Sequence, residues 1–349
     1  MLVSKNMDIS QLSSVLADQP KFRYQQINRA VFKEFVSTWD EVSNLPKNLR
    51  EKLAEFCPLE IKAKLFKDQK QSKGAKALIY LSDGEAVETV LIRQSSSSGR
   101  VRNTVCLSSQ VGCPLACSFC ATGQAGFNLN LSSAEIVEQA VFWERYLKTV
   151  GPEQKINNVV FMGMGEPLLN YDQFIKAVKF LNNPETLNIG ARHISVSTAG
   201  IVDKIKRLAG EKLQINLAIS LHAPNDGLRA SLMPVARKYS LQEIFQAVDN
   251  YIKKTSRRVM FEYLLIKGVN DHDQEAQELV EKLKKPLYFV NLIPYNETGG
   301  RFRAPDSRRV EAFHDILMKG GVPATIRRSF GEEIAAACGQ LRGQISDKK

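Results

Sequence analysis

A chain of 349 residues, at about 100 to 200 residues per domain, holds one large domain with a smaller companion or two of similar size, and it is long enough to bury a real core. Its 44% hydrophobic and 24% charged residues exclude a disordered, collagen-like or disulfide-miniprotein chain, and no apolar run approaches the ~18 residues of a spanning helix. With 48 Lys and Arg against 37 Asp and Glu the net charge is +11, which favours polyanionic partners because each cation that neutralises a phosphate releases condensed counterions.

The opening Met1-Leu2-Val3-Ser4-Lys5-Asn6 lacks the apolar core of a signal peptide, so a cytoplasmic location without a membrane partner is expected. Helical stretches are predicted over about 24–37 and, behind Pro46, over 46–55. Lys62, Lys64, Lys67, Lys70, Lys73 and Lys76, opposed within the run only by Asp68, read as a solvated helix face or loop. Two strands, 77–81 and 86–92, are joined across Asp83-Gly84, a hairpin signal. Ser95 to Ser98 with Gly99 then read as a linker.

From about residue 100 the rhythm changes. Short apolar runs at 104–107, 158–162, 193–197, 214–221, 259–266, 287–293 and 324–327 alternate with amphipathic stretches. The first of these places Ile136, Ala140, Trp143 and Leu147 at helical spacing behind a capping box of Ser132 and Glu135; others cover 171–182, 201–209, 241–254, 273–284 and 307–319. Six βα units in succession imply an α/β fold with a mainly parallel sheet, either a complete or partial barrel or a doubly wound sheet.

Four of the six cysteines lie between Cys106 and Cys120, and such clustering in a cytosolic chain points to metal or redox chemistry rather than structural disulfides. Cys57 reads as an ordinary small apolar residue. Cys113-Pro114-Leu115-Ala116-Cys117-Ser118-Phe119-Cys120 follows a strand and precedes a helix, so three thiolates on one short loop can share a centre. They are one too few for a closed zinc site unless Cys106 or the distant Cys338 completes it. A cluster of four irons could use three cysteines and keep one iron open.

Phe161-Met162-Gly163-Met164-Gly165-Glu166-Pro167 begins at a strand end and fails as a dinucleotide fingerprint, because Leu168 stands where the third glycine belongs. On a barrel the glycines would let backbone approach a ligand, and Glu166 could accept from an amino group. Ser197, then Ser220-Leu221-His222, then Asn296 recur at the same ends of successive strands, where barrels put their sites. His193, His272 and His314 read as strand-start, loop and helix-face residues without a role.

The spacing of Cys113, Cys117 and Cys120, with an aromatic before the third, resembles the signature of radical S-adenosylmethionine (SAM) enzymes. Cys106, Gly163 to Asn170, Ser220 to Asp226, Asn291 to Asn296 and Gly331 to Gln340 together resemble the RlmN-type adenine-C2 RNA methyltransferases, over nearly the whole chain. The resemblance implies a partial (β/α)6 barrel over 99–331, a small mainly helical accessory RNA-binding domain over 1–95 and a C-terminal segment, 332–349, that carries Cys338. It implies a 4Fe-4S cluster on the three loop cysteines and two SAM molecules per turnover, contacted by Gly165, Glu166, Ser197, Ser220, Leu221, His222 and Asn296.

One SAM would methylate Cys338, and the radical from the other would activate that methyl group to add to C2 of an adenine. By the resemblance, Cys106 is the second thiol that releases the product through a transient disulfide, and Glu88 the acceptor of the C2 proton. On its own Glu88, a lone acid in a predicted strand, reads as solvent-facing. The substrates implied are 23S rRNA and tRNA, with an external reductant and a monomeric enzyme. Three other readings stand beside this one. The C8-methylating relative Cfr shares both extra cysteines, but Pro167-Leu168-Leu169-Asn170 and Ala223-Pro224-Asn225-Asp226 favour C2. A radical SAM enzyme acting on a small molecule or peptide leaves Cys106 and Cys338 idle, and a zinc-stabilised RNA-binding protein leaves the barrel-mouth residues unexplained.

Overall fold

The computed structural model describes Met7 and residues 11–67, 74–95, 99, 101–327 and 334–342. Three helices open the chain, α1 (Leu12–Val15), α2 (Lys21–Phe32) and α3 (Lys47–Phe56), the last starting behind Pro46, whose fixed φ suits a helix entry. Ile27, Trp39 and Leu53 are buried there, and the Trp39 indole donates to the carbonyl of Cys57 at 2.7 Å. Cys57 itself is buried, as an apolar residue would be.

An antiparallel meander follows, β1 (Ala63–Lys67), β2 (Gly74–Tyr80) and β3 (Ala86–Ser95), and it pairs onto β4 (Val101–Cys106). The β2–β3 turn runs through Asp83 and Gly84, the glycine at φ +93°, as the hairpin signal predicts. The lysine run departs from its expected solvated helix or loop. Residues 63–67 form an outer strand on which Lys64 and Lys67 are exposed, a charge placement that discourages pairing with another chain, while Lys76 is buried on β2. Asp68, Lys70, Lys73 and Ser96 to Ser98 lie outside the described residues.

The remaining elements are β5 (Gln110–Gly112), α4 (Ala121–Gln124), β6 (Phe127–Asn130), α5 (Ser133–Val150), β7 (Asn158–Phe161), α6 (Tyr171–Asn182), β8 (Ile194–Thr198), α7 (Val202–Leu208), β9 (Asn216–Ser220), α8 (Asp226–Leu232), α9 (Leu241–Thr255), β10 (Val259–Leu265), α10 (Asp273–Leu283), β11 (Tyr288–Pro294), α11 (Ser307–Lys319) and β12 (Ala324–Ile326). Among the described residues ten strands make one sheet in the order β1-β2-β3-β4-β7-β8-β9-β10-β11-β12, parallel from β4 onward. Each predicted βα pair is present. The short β5–β6 hairpin and α8 are additions that the apolar periodicity did not announce, both being too short to show a period.

The sheet curls without closing. Side chains from β4, β7, β8, β9 and β10 line one cavity together with Arg327, which directly follows β12, and the Arg327 guanidinium donates to the sulfur of Met162 beyond β7 at 3.6 Å. This is the partial barrel that the family resemblance implied, one of the three architectures the six units left open. The boundary expected near residues 95–100 falls between β3 and β4, which are paired from Val90↔Cys106 to Ser95↔Val101. Arg145 of α5 also donates to the carbonyl of Leu59 at 2.7 Å and to that of Val36, tying the N-terminal helices to the barrel's outer layer.

Candidate active site

The loop from Cys113 to Cys120 is held by backbone on every side. Gly112, at φ +74°, lies so close to the carbonyl of Gly126 that a Cβ would stand 1.9 Å from the oxygen, and the Cys113 N–H donates to that same carbonyl at 2.8 Å. Ser118 N–H reaches the carbonyl of Leu232 and Cys120 N–H that of Cys117, so the turn is fixed before any ligand binds. Cys113, Cys117 and Cys120 all line the cavity, with Leu115 and Phe119 as apolar wall.

Burial pushes the Cys113 thiol up to about 12 and raises Cys117 further, and the charges of the neighbouring thiols and Glu166 add to both. Ionising all three thiols together would therefore call for a strongly charged partner, and the Arg229 guanidinium eases the burden only at Cys117. Among the described residues no group of three or more His, Cys, Asp or Glu side chains is drawn together around a single metal ion. The donor set fits an iron–sulfur centre by its chemistry, because all three are soft sulfur ligands and three leave one iron of four free.

Gly165, Glu166, Ser197, Ser220 and His222 line the same cavity; Leu221, Asn296 and Glu88 do not. The two glycines have a reason nearer home than ligand approach. A Cβ on Gly163 would meet Ser108 Oγ at 2.6 Å, and Gly165, at φ +96°, packs its Cα on Gln110. Glu166 is bonded to backbone through both oxygens, Oε1 accepting from Leu168 N–H at 3.0 Å and Oε2 from Ala199 N–H at 2.7 Å, which links the ends of β7 and β8. Burial raises its pKa to about 7.

Ser197 Oγ and Ser220 Oγ stand 3.1 Å apart at the ends of β8 and β9. His222, at φ +58°, accepts from Leu264 N–H through Nδ1 at 3.0 Å, so Nε2 carries the proton of the neutral ring. Burial and then the charge of Arg229 push its pKa down to about 3, which keeps the ring neutral at every physiological pH. Leu221 is fully buried and donates its N–H to the carbonyl of Glu262. Asn296 holds the C-terminal segment, its Nδ2 donating to the carbonyl of Cys338 at 3.2 Å.

Cys106 and Cys338 line the cavity with the three loop cysteines, although 231 residues lie between them in sequence. Burial first, and the charge of Cys338 second, push the Cys106 thiol up to about 12, while Arg327 works the other way. Two cavity residues were not anticipated. Arg327 has its pKa raised by Cys338 first, against the cost of its own burial, and Glu262 of β10 is buried with its pKa raised by desolvation. The signal for Glu262 was a single acid inside the apolar run 259–266; Arg327 gave none, because only the curl of the sheet brings its strand end over Cys106.

Glu88 differs from its solvent-facing expectation. It is buried on β3, its Oε1 2.7 Å from Lys76 Nζ and its Oε2 accepting from Arg342 N–H at 2.7 Å. The three histidines without an assigned role keep bland partners: His193 bonds Asn158, His272 caps α10 with Glu275, and His314 reaches the carbonyl of Ala324. Gly331 to Glu333 lie outside the described residues, and no helix among the described residues is long and apolar enough to cross a membrane.

A radical SAM superfamily model matches residues 107–280. The chain is 45% identical over 348 residues to the "Probable dual-specificity RNA methyltransferase RlmN" of Symbiobacterium thermophilum, covering 98% of this chain and 91% of the relative. It is 44% identical over 329 residues to the "Ribosomal RNA large subunit methyltransferase N" of Nitrosopumilus maritimus, covering 93% of each. Among solved structures, a radical SAM methyltransferase from Sphaerobacter thermophilus superposes with a TM-score of 0.90 at 42% identity, over 99% of this chain and 100% of that one.

Proposed function

The chain belongs to the RlmN family of radical SAM RNA methyltransferases, and from that membership we propose that it methylates C2 of an adenine in 23S rRNA and C2 of an adenine in tRNA, through an S-methylcysteine on Cys338. The observation that carries this reading is the gathering of five cysteines on one cavity, three on the loop and two from opposite ends of the barrel chain. A radical enzyme acting on a small molecule has no use for the last two.

In this reading Cys113, Cys117 and Cys120 hold a 4Fe-4S cluster, and Gly165, Glu166, Ser197, Ser220 to His222 and Asn296 hold SAM. The two together supply a methyl electrophile and, after reductive cleavage, a carbon-centred radical. Glu166 and neutral His222 offer fixed polar atoms in a dry wall, so a bound nucleoside would be oriented without rearranging them. Cys338 carries the methyl group and becomes joined to the adenine. Glu88 takes the C2 proton as the adduct's odd electron returns to the redox partner that supplied it, and Cys106 attacks the Cys338 sulfur; the S–C bond breaks, the carbon keeps the pair and gains a proton to become the methyl group, and the disulfide left behind is reset by an external reductant. The N-terminal helices, with the meander before residue 95, serve as the RNA-binding part; the enzyme acts as a cytoplasmic monomer and uses two SAM molecules per turnover.

Cys106→Ala tests the thiol roles. Expressed in cells, it is expected to accumulate an RNA adduct covalently linked through Cys338, seen as a nuclease-sensitive mass addition. A protein with cluster and SAM binding intact but no adduct would contradict the assignment. Adenine deuterated at C2 or at C8 separates the two ring positions: loss of the C8 deuteron would overturn the C2 reading.

A further inference from the structure

The segment that carries Cys338 is fastened at both ends by one buried ion pair. Lys76 Nζ lies 2.7 Å from Glu88 Oε1 and donates to the carbonyl of Ala335 at 3.2 Å, while Glu88 Oε2 accepts from Arg342 N–H at 2.7 Å. Ala335 and Arg342 bracket Cys338, and both members of the pair are less than one-tenth exposed. Between the brackets the segment is bonded to the cluster loop, where Ala121 N–H reaches the carbonyl of Gly339 and Thr122 Oγ1 that of Leu341, and to the chain after β11 through Asn296 and Glu297.

We propose that Lys76 is a positioning residue: with Glu88 it forms a clasp that sets the loop 335–342 over the cavity and at the same time aims the carboxylate that takes the adenine proton. This rests on the reading of Cys338 as methyl carrier and Glu88 as proton acceptor. The argument is geometric. An ammonium buried beside a carboxylate satisfies the charge of each, and one of its other protons goes to the loop carbonyl. Lys76 and Glu88 tie the two ends of the loop to β2 and β3, and the Arg342 guanidinium has a further anchor, donating to the carbonyl of Thr298 at 2.6 Å. Taking away the ammonium therefore loosens Ala335 directly and, by freeing Glu88 to turn, weakens the backbone tie of Arg342 while its side chain stays on Thr298.

The test uses the full-length, cluster-loaded enzyme. Lys76→Gln keeps a donor and removes the charge; Lys76→Arg keeps the charge and serves as rescue. Amide exchange of residues 334–342 is expected to quicken by about tenfold or more in Lys76→Gln while the barrel strands keep their protection. The RNA adduct through Cys338 is expected to build up in the same variant, because a misaimed Glu88 delays removal of the proton. Lys76→Arg should restore both. Exchange in 334–342 equal to that of the unaltered enzyme overturns the clasp, and so does faster exchange spread over the whole chain without adduct, which marks a merely structural lysine. Cys106→Ala run in parallel separates the two failures: if it too forms no adduct, the functional reading has failed, and the exchange arm alone still decides the clasp.

Discussion

In the proposed reading, where Cys106 releases the product, Arg327 bears directly on the reactivity of that thiol. Cys106 sits in apolar surroundings that push it up to about 12, and the guanidinium of Arg327 is the charge that opposes this. Removing an opposite charge at close range raises a pKa by about 1 to 3 units, and the lost thiolate is partly offset by a stronger nucleophile, so Arg327→Gln should slow product release roughly four- to fortyfold. Single-turnover release of methylated RNA measures it; an unchanged rate would show that the guanidinium does not act on Cys106. The three loop cysteines stood out in the sequence by their spacing, whereas Cys106 and Cys338 were singled out through the family resemblance. Glu262 left a trace as the one acid in the apolar run 259–266, but Lys76 and Arg327 left none, since a lysine in a lysine run or an arginine at a strand end acquires its place only from what the fold lays against it.

At the scale of the element, α5 shows how much of a helix the sequence announces. Ser132 Oγ accepts from Glu135 N–H at 3.2 Å and Glu135 Oε2 from Ser132 N–H at 2.7 Å, the predicted capping box, and Ile136, Ala140, Trp143 and Leu147 are all buried as their spacing requires. The short outer strand β1 was hidden for the opposite reason: five residues with two exposed lysines carry no apolar period. On the same α5, Glu144 is buried, bonded to Ile156 N–H at 3.1 Å, and its pKa is raised from 4.5 to about 7. The folded chain thus binds this proton more tightly than the unfolded chain. Its contribution to stability is complete below pH 4.5 and is lost as pH rises through about 7. Glu144→Gln should flatten the pH dependence of unfolding across that window and stabilise the protein by roughly 1 to 3 kcal/mol at pH 8. Denaturant unfolding of both proteins at several pH values checks it, and parallel curves would mean that the carboxyl is better solvated than its burial implies.

Over the whole molecule, six βα units were enough to read a curled parallel sheet, because each strand and its helix carry their own apolar period. What they could not tell was that the meander before residue 95 would continue the same sheet through β3 and β4, a choice among distant strand edges that no local pattern records. That continuity matters for the charge. The surplus of +11 is distributed over a chain whose N-terminal part and barrel share one sheet. Counterion release then predicts a steep salt dependence for RNA and almost none for SAM, which in the proposed reading binds in the barrel cavity rather than through a row of phosphates. For five phosphate contacts to single-stranded RNA the slope of log affinity against log salt is about −3.5, so affinity should fall roughly hundredfold between 50 and 200 mM salt. Titration of a fluorescent stem-loop RNA at four salt concentrations gives the slope and with it the number of phosphates engaged, while SAM binding measured in the same buffers should change less than about twofold. A flat RNA curve would mean that the basic surplus plays no part in holding the substrate and that recognition rests on the cavity alone.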